Sequence, residues 1–150
     1  EQIARILGGS ALRIAPEARP LYHAAAVMAA NYLVTLLDAA AILMEAAGVE
    51  RGTALRALSP LVESSAANAL RLGPAEALTG PIQRGDLPTI AGHLRALASA
   101  PPTVRDLYRA AGLHALDIAA RRGLEPGRAV RIETLLREGD LEHGGNGETR

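Results

Sequence analysis

Residues 22–48 read YHAAAVMAANYLVTLLDAAAILMEAAG, and this stretch decides the fold. It holds no proline and no internal glycine, and it is dominated by Ala and Leu, which are strong helix formers. It reads as one long helix from about Leu21 to Ala47, closed by Gly48. A helix so uniformly apolar is expected to be buried on most sides. As a membrane span it is interrupted by Asn31, Thr35, Asp38 and Glu45, and it is richer in Ala than in Leu. The expectation is therefore a core helix of a soluble cytoplasmic protein, with no membrane contact.

Downstream the helical pattern continues. A second helix is expected from Arg51 to Leu72, with Ser59-Pro60 inside it marking a kink or a restart, and Gly73-Pro74 ending it. Residues 75–86 are irregular, centred on TGPIQRGD (79–86). Asp86 is placed to cap a helix running to about Ser99, with Pro88 tolerated in its first turn. Pro101-Pro102 breaks the chain, Thr103 is positioned to cap a further helix ending near Gly123, and Pro126 opens a last one to about Glu138. The fold class that follows is all-α, a bundle of about five to six helices.

Upstream the pattern changes. EQIARIL reads as a helix end stopped by Gly8-Gly9, and Ala11 to Ile14 as a short extended segment. Such pieces cannot fold alone. They read either as the closing helix and strand of a preceding parallel α/β domain or as a frayed helix with a loop. The expected organisation is a remnant over 1–14, a helical domain over 15–138, and a Gly-rich disordered tail, GDLEHGGNGETR, over 139–150.

Composition narrows the chemistry. Aromatic residues are 2% against 49% hydrophobic, so the core is aliphatic and its helices can approach closely. Cysteine and lysine are both absent, which excludes disulfides, thiolate ligands and Schiff-base lysines from this chain. The formal net charge is zero, with no basic stripe, so nucleic acid is not an expected partner. A phosphate loop and a G-x-G-x-x-G turn are both missing.

What polar chemistry there is lies in two places. On the long helix, Asp38, Asn31 and Thr35 fall about 60°, 80° and 120° round from His23, so all four share one side. Such a stripe needs partners. His23 and Asn31 either face a substrate cleft, as proton donor and carbonyl-orienting amide, or join a hydrogen-bonded core network; Thr35 and Asp38 fit the network. In TGPIQRGD, Arg84 is suited to clamping a carboxylate or phosphate and Thr79 to binding beside it, whereas a plain helix connection would leave Arg84 solvated. Tyr22 and Tyr108 read as packing residues, and a metal site would require His23, His93 and His114 to converge, which no i, i+4 spacing favours.

The series RPLYHAAAVMAANYLVTLLDAA, Asn68 with Gly73-Pro74, ALTGPIQRGDLPTIAGHLRAL and LYRAAGLHALDIAARRGL, in this order, resembles the C-terminal domain of Rossmann-like proteins that carry domain of unknown function 2520. The resemblance covers roughly residues 15–137. It implies a C-terminal domain like that of 6-phosphogluconate dehydrogenase, related to pyrroline-5-carboxylate reductase and ketopantoate reductase. It further implies a preceding domain that binds NADP or NAD, a small-molecule substrate, and a homodimer built through the helices. Enzymes of this type use a lysine on the first long helix, commonly with a nearby Asn. This chain has no lysine, and an equivalent site would give His23 the acid role with Asn31 beside it, while Arg84 and Thr79 are the substrate-binding candidates of the TGPIQRGD turn. The alternative is a non-catalytic helical module for homodimerisation or interaction.

Overall fold

The computed structural model describes residues 12–138. These are all-α: seven helices, and no strand among the described residues. Five of them are longer than a single turn, in keeping with the five or six expected. The expected remnant over 1–14 lies outside the described residues up to residue 11, and residues 12–15 carry no regular structure. The tail over 139–150 also lies outside them.

The chain divides after Ala40 into two compact units. In the first, a 3-10 turn at Pro16–Ala18 leads into α1 (Arg19–Ala46), whose last residues belong to the second unit. The limits match the expected helix, but the environment does not. Only Ala41 of α1 is buried. Leu21, Met28, Tyr32 and Leu36 stand open at 75%, 64%, 55% and 45% exposure. The expectation of a helix buried on most sides is therefore corrected: from Leu21 to Leu36 its apolar side chains are mostly exposed, and only its C-terminal end, around Ala41, is covered. By length and composition, Pro16–Ala46 is also long and apolar enough to cross a membrane, with a mean hydropathy of 1.8.

The second unit holds the core. α2 (Arg51–Leu72) runs unbroken through Pro60, so the expected restart does not occur. Proline removes one N–H from the helix ladder, and a helix of six turns survives that loss. The Ser59 hydroxyl, instead of capping a new start, donates to the Glu63 carboxylate at 2.7 Å. Two single turns follow, α3 (Pro74–Ala77) and α4 (Pro81–Arg84). Then come α5 (Leu87–Ala96), a 3-10 turn at Leu97–Ser99, α6 (Pro102–Arg121) and α7 (Pro126–Glu138). Helix α6 starts at Pro102 without a side-chain cap, so Thr103 lies inside its first turn rather than at the cap. The buried cluster is Ile90 and Leu94 from α5, Leu116 from α6, and Ile132 and Leu136 from α7. Each pair is spaced by four residues, the helical repeat that points one face inward.

Three helix starts are closed by carboxylates. Glu50 accepts the N–H groups of Gly52 and Thr53, both at 2.8 Å. Asp86 accepts the Thr89 hydroxyl at 2.8 Å and the Thr89 N–H at 3.2 Å. Glu125 accepts the N–H groups of Gly127 and Arg128 at 2.7 and 2.8 Å. These bonds hold all three carboxyls below their ordinary values, the Gly52 N–H leading at Glu50, the Thr89 hydroxyl at Asp86 and the Gly127 N–H at Glu125. A depressed carboxyl contributes stability above its unfolded value, and that contribution is lost as pH falls through the folded value. Denaturant melts should therefore show stability flat from about pH 7 to 5 and falling below about pH 4. Glu50→Gln and Glu125→Gln should each flatten that fall, and an unchanged acid limb in the double variant would contradict the assignment.

Candidate functional site

Burying Ile90 and Leu94 turns His93, between them on α5, toward the surface. On α6 the buried positions Val104, Gly112, Leu116 and Ala119 define the inward stripe, and Tyr108 falls on it. Tyr108 is half-buried and packs against the core. Where α5 and α6 meet, His93 Nδ1 and the Tyr108 hydroxyl lie 2.9 Å apart. The two rings meet edge to face, with centroids at 6.1 Å and planes at 85°.

Burial pushes the Tyr108 phenol up from its ordinary value, so it stays protonated at neutral pH. The phenol donates to Nδ1 where that nitrogen carries no proton, and accepts from Nδ1–H where it does. The pair lines a cavity of about 460 Å³ whose other walls include Leu43, Ala46, Leu97 and Ser99. That volume suits a small molecule, and an apolar wall with one polar pair is the usual make-up of such a site. Chemically, the arrangement can hold a small apolar-bodied ligand and present it with an N–H or O–H donor.

The sequence-expected residues are placed elsewhere. His23 and Asn31 sit exposed on α1 in the first unit, and the expected burial of their stripe is corrected with that of the helix. Thr35 satisfies itself locally, its hydroxyl donating to the Asn31 carbonyl at 3.2 Å. Asp38 is exposed and partnered. In the second unit Thr79 precedes α4 and Arg84 ends it, both exposed, with Arg84 Nη2 3.8 Å from an Asp86 carboxylate oxygen. Arg122 anchors this region, donating to the Leu78 carbonyl at 3.1 Å and to Glu76 at 3.3 Å. The structure thus keeps Thr79 and Arg84 on one connection and leaves His23 and Asn31 in the other unit. Among the described residues, no three His, Cys, Asp or Glu side chains form a group able to hold a metal.

The His93–Tyr108 pair was missed by sequence reasoning. Both residues lie in segments whose pattern was read, but fifteen positions and a Pro-Pro break separate them. Only the packing of α5 on α6 joins them.

No curated protein matches the chain, and no solved structure does. One family matches over residues 1–115, a span that includes α1 and both members of the His93–Tyr108 pair. With three quarters of its length so covered, the chain belongs to the family described as Domain of unknown function (DUF2520).

Proposed function

We propose that this chain is the substrate-binding and dimerisation domain of an NADP(H)- or NAD(H)-dependent oxidoreductase acting on a small carbonyl or imine acid in the cytoplasm, with the all-α fold of 6-phosphogluconate dehydrogenase C-terminal domains. The observation that carries the substrate half of this reading is the His93–Tyr108 pair on its small-molecule-sized cavity. The described residues do not fit a nicotinamide cofactor. Among them, the glycines with positive φ each lie at a helix end or in the connection that follows, none between a strand and a helix, where a dinucleotide pyrophosphate is cradled. In this reading the cofactor is bound mainly by a preceding domain, and no reaction step is derived through it.

What these residues do is bind, orient and protonate. Protonated from solvent, His93 gives its Nε2 proton to the oxygen or nitrogen of the bound carbonyl or imine, and the neutral ring that remains keeps its Nδ1 proton on the Tyr108 hydroxyl oxygen. Arg84 and Thr79 hold the acid group, and His23 and Asn31 are the alternative proton-donating and orienting pair, within the first unit. Asp86 and His93 are seven residues apart on one helix, a rise of about 10 Å. Arg84, which precedes Asp86, therefore serves a longer acid or the site of a second copy. The test is titration of the longer polypeptide with NADPH and NADH, followed by cofactor oxidation against a panel of 2-oxo acids and cyclic imine acids. Nicotinamide binding by the longer polypeptide and turnover on one panel member are expected. Tight nicotinamide binding by residues 1–150 alone would overturn the division of labour.

The dimerisation half rests on α1. Leu21, Ala25, Met28, Tyr32 and Leu36 fall within an arc of about 80°. Their spacing of three, four and seven residues is that of a helix–helix seam, and all are exposed. The polar stripe of His23, Asn31, Thr35 and Asp38 is centred about 120° away. A second copy covers one face of a helix and leaves the polar one wet. A bilayer surrounding a lone helix would desolvate both, Asp38 included. The protein is expected to run as a dimer in light scattering, and Met28→Glu with Tyr32→Glu to run as a monomer that keeps its helical circular dichroism. An unchanged mass, or wild-type protein recovered with membranes, would overturn the seam.

A further inference from the structure

A second concavity of about 910 Å³ lies between the α4–α5 corner and α7, and it shares no lining residue with the His93 cavity. Its walls carry three arginines, Arg84, Arg128 and Arg131, and one carboxylate, Asp86. The carboxylate is engaged: both its oxygens accept from Thr89, and Arg84 stands 3.8 Å away. Neither the Arg128 nor the Arg131 guanidinium has a hydrogen bond or ion pair among the described residues. Arg128 feels only the through-space attraction of Glu125, whose oxygens are spent on backbone N–H groups.

Arg128 is positioned. Gly85 sits in the left-handed region at φ 66, buried, and a Cβ there would stand 2.8 Å from Arg128 Cδ and 3.2 Å from Leu124 Cδ1. The missing side chain lets the Arg128 stem lie against the corner, so its guanidinium is held at the groove instead of sweeping through solvent. Between the arginines the wall is apolar: Leu87, Pro88, Ala91 and Leu135, with Val130 left 62% exposed. Two cations that have no ion-pair or hydrogen-bond partner among the described residues, beside an exposed aliphatic wall, match one kind of molecule, an oxyanion joined to an apolar body.

We propose that the α4–α5/α7 groove binds a small amphipathic anion, its carboxylate or phosphate held by Arg128 and Arg131 with Arg84 at the rim, and its apolar body lying on Leu87, Val130 and Leu135. The site shares only Arg84 with the reductase reading and needs neither the nicotinamide half nor the His93 cavity. The proposal is tested by calorimetric titration of the chain with octanoate, octyl phosphate below its micelle concentration, and inorganic phosphate. At least one of the two octyl probes should bind, and the tighter of them identifies the head group. Inorganic phosphate should bind at least about tenfold more weakly than the better octyl probe, since it forgoes the apolar wall. Arg128→Gln with Arg131→Gln, both at exposed positions, should weaken the better probe by about tenfold or more while the helical signal is kept. Val130→Asp should do the same from the apolar side. No binding by either octyl probe would overturn the site. So would affinities unchanged in these variants, or phosphate binding as tightly as octyl phosphate.

Discussion

In the longer polypeptide, His93→Asn is expected to lower turnover by about 10²- to 10⁴-fold, the usual contribution of a positioned general acid. Asn keeps a donor near the Tyr108 hydroxyl and removes the group that can give up a proton. His93 is exposed and belongs to no buried cluster, so stability should move by no more than about 0.5 kcal/mol. Tyr108→Phe keeps the half-buried ring and deletes only the hydroxyl that meets Nδ1. It should lower kcat by about tenfold with little change in KM, because it removes the group that orients the imidazole without removing the imidazole. His23→Ala is the internal comparison. If it removes turnover while His93→Asn leaves it intact, the proton comes from α1, and the His93–Tyr108 pair is only a packing contact. The readout is cofactor oxidation on the substrate found by panel screening.

The long helix was legible because a stretch half Ala and Leu, with no glycine and no proline after Pro20, admits little else. Its surroundings were not legible. Apolarity says that a surface will be covered, not by what, and here the described chain covers only the C-terminal end of the helix. The carboxylate at Asp86 was readable as a cap from Asp followed by Leu-Pro-Thr. The Glu50 and Glu125 caps were not, since Glu is an uncommon residue at that position and its reach over two N–H groups appears only in three dimensions. Ser59-Pro60 misled because the dipeptide starts many helices, yet inside a long helix proline costs one bond and the ladder goes on. The site divides in the same way. Arg84 stood out as the sole cation in a glycine-flanked turn. Arg128 and Arg131 looked like surface residues of an ordinary amphipathic helix. It takes the packing of α7 against the α5 corner to put all three on one groove.

The largest effect on stability is expected at Leu136. It is fully buried at the end of the α7 stripe, in one cluster with Ile90, Leu94, Leu116 and Ile132. Leu136→Ala should destabilise the second unit by about 3 kcal/mol, within the 2–5 seen for such truncations. The neighbouring geometry supplies a sharper test. A Cβ built on Gly112 would lie 3.0 and 3.2 Å from the two Leu136 methyl carbons and 3.5 Å from Ile82 Cδ1. Gly112 is thus where α6 lets α7 approach, and Gly112→Ala alone sets two effects against each other. Helix propensity gains about 1 kcal/mol, and overpacking against Leu136 costs about 1–3 kcal/mol. In the Leu136→Ala background the overpacking disappears and the new methyl occupies part of the cavity. The double variant should then be more stable than Leu136→Ala alone, with a coupling of about 1 kcal/mol or more in a denaturant-melt cycle followed by circular dichroism. Additivity within about 0.3 kcal/mol would mean that Gly112 and Leu136 do not touch, and the packing of α6 on α7 would have to be redrawn.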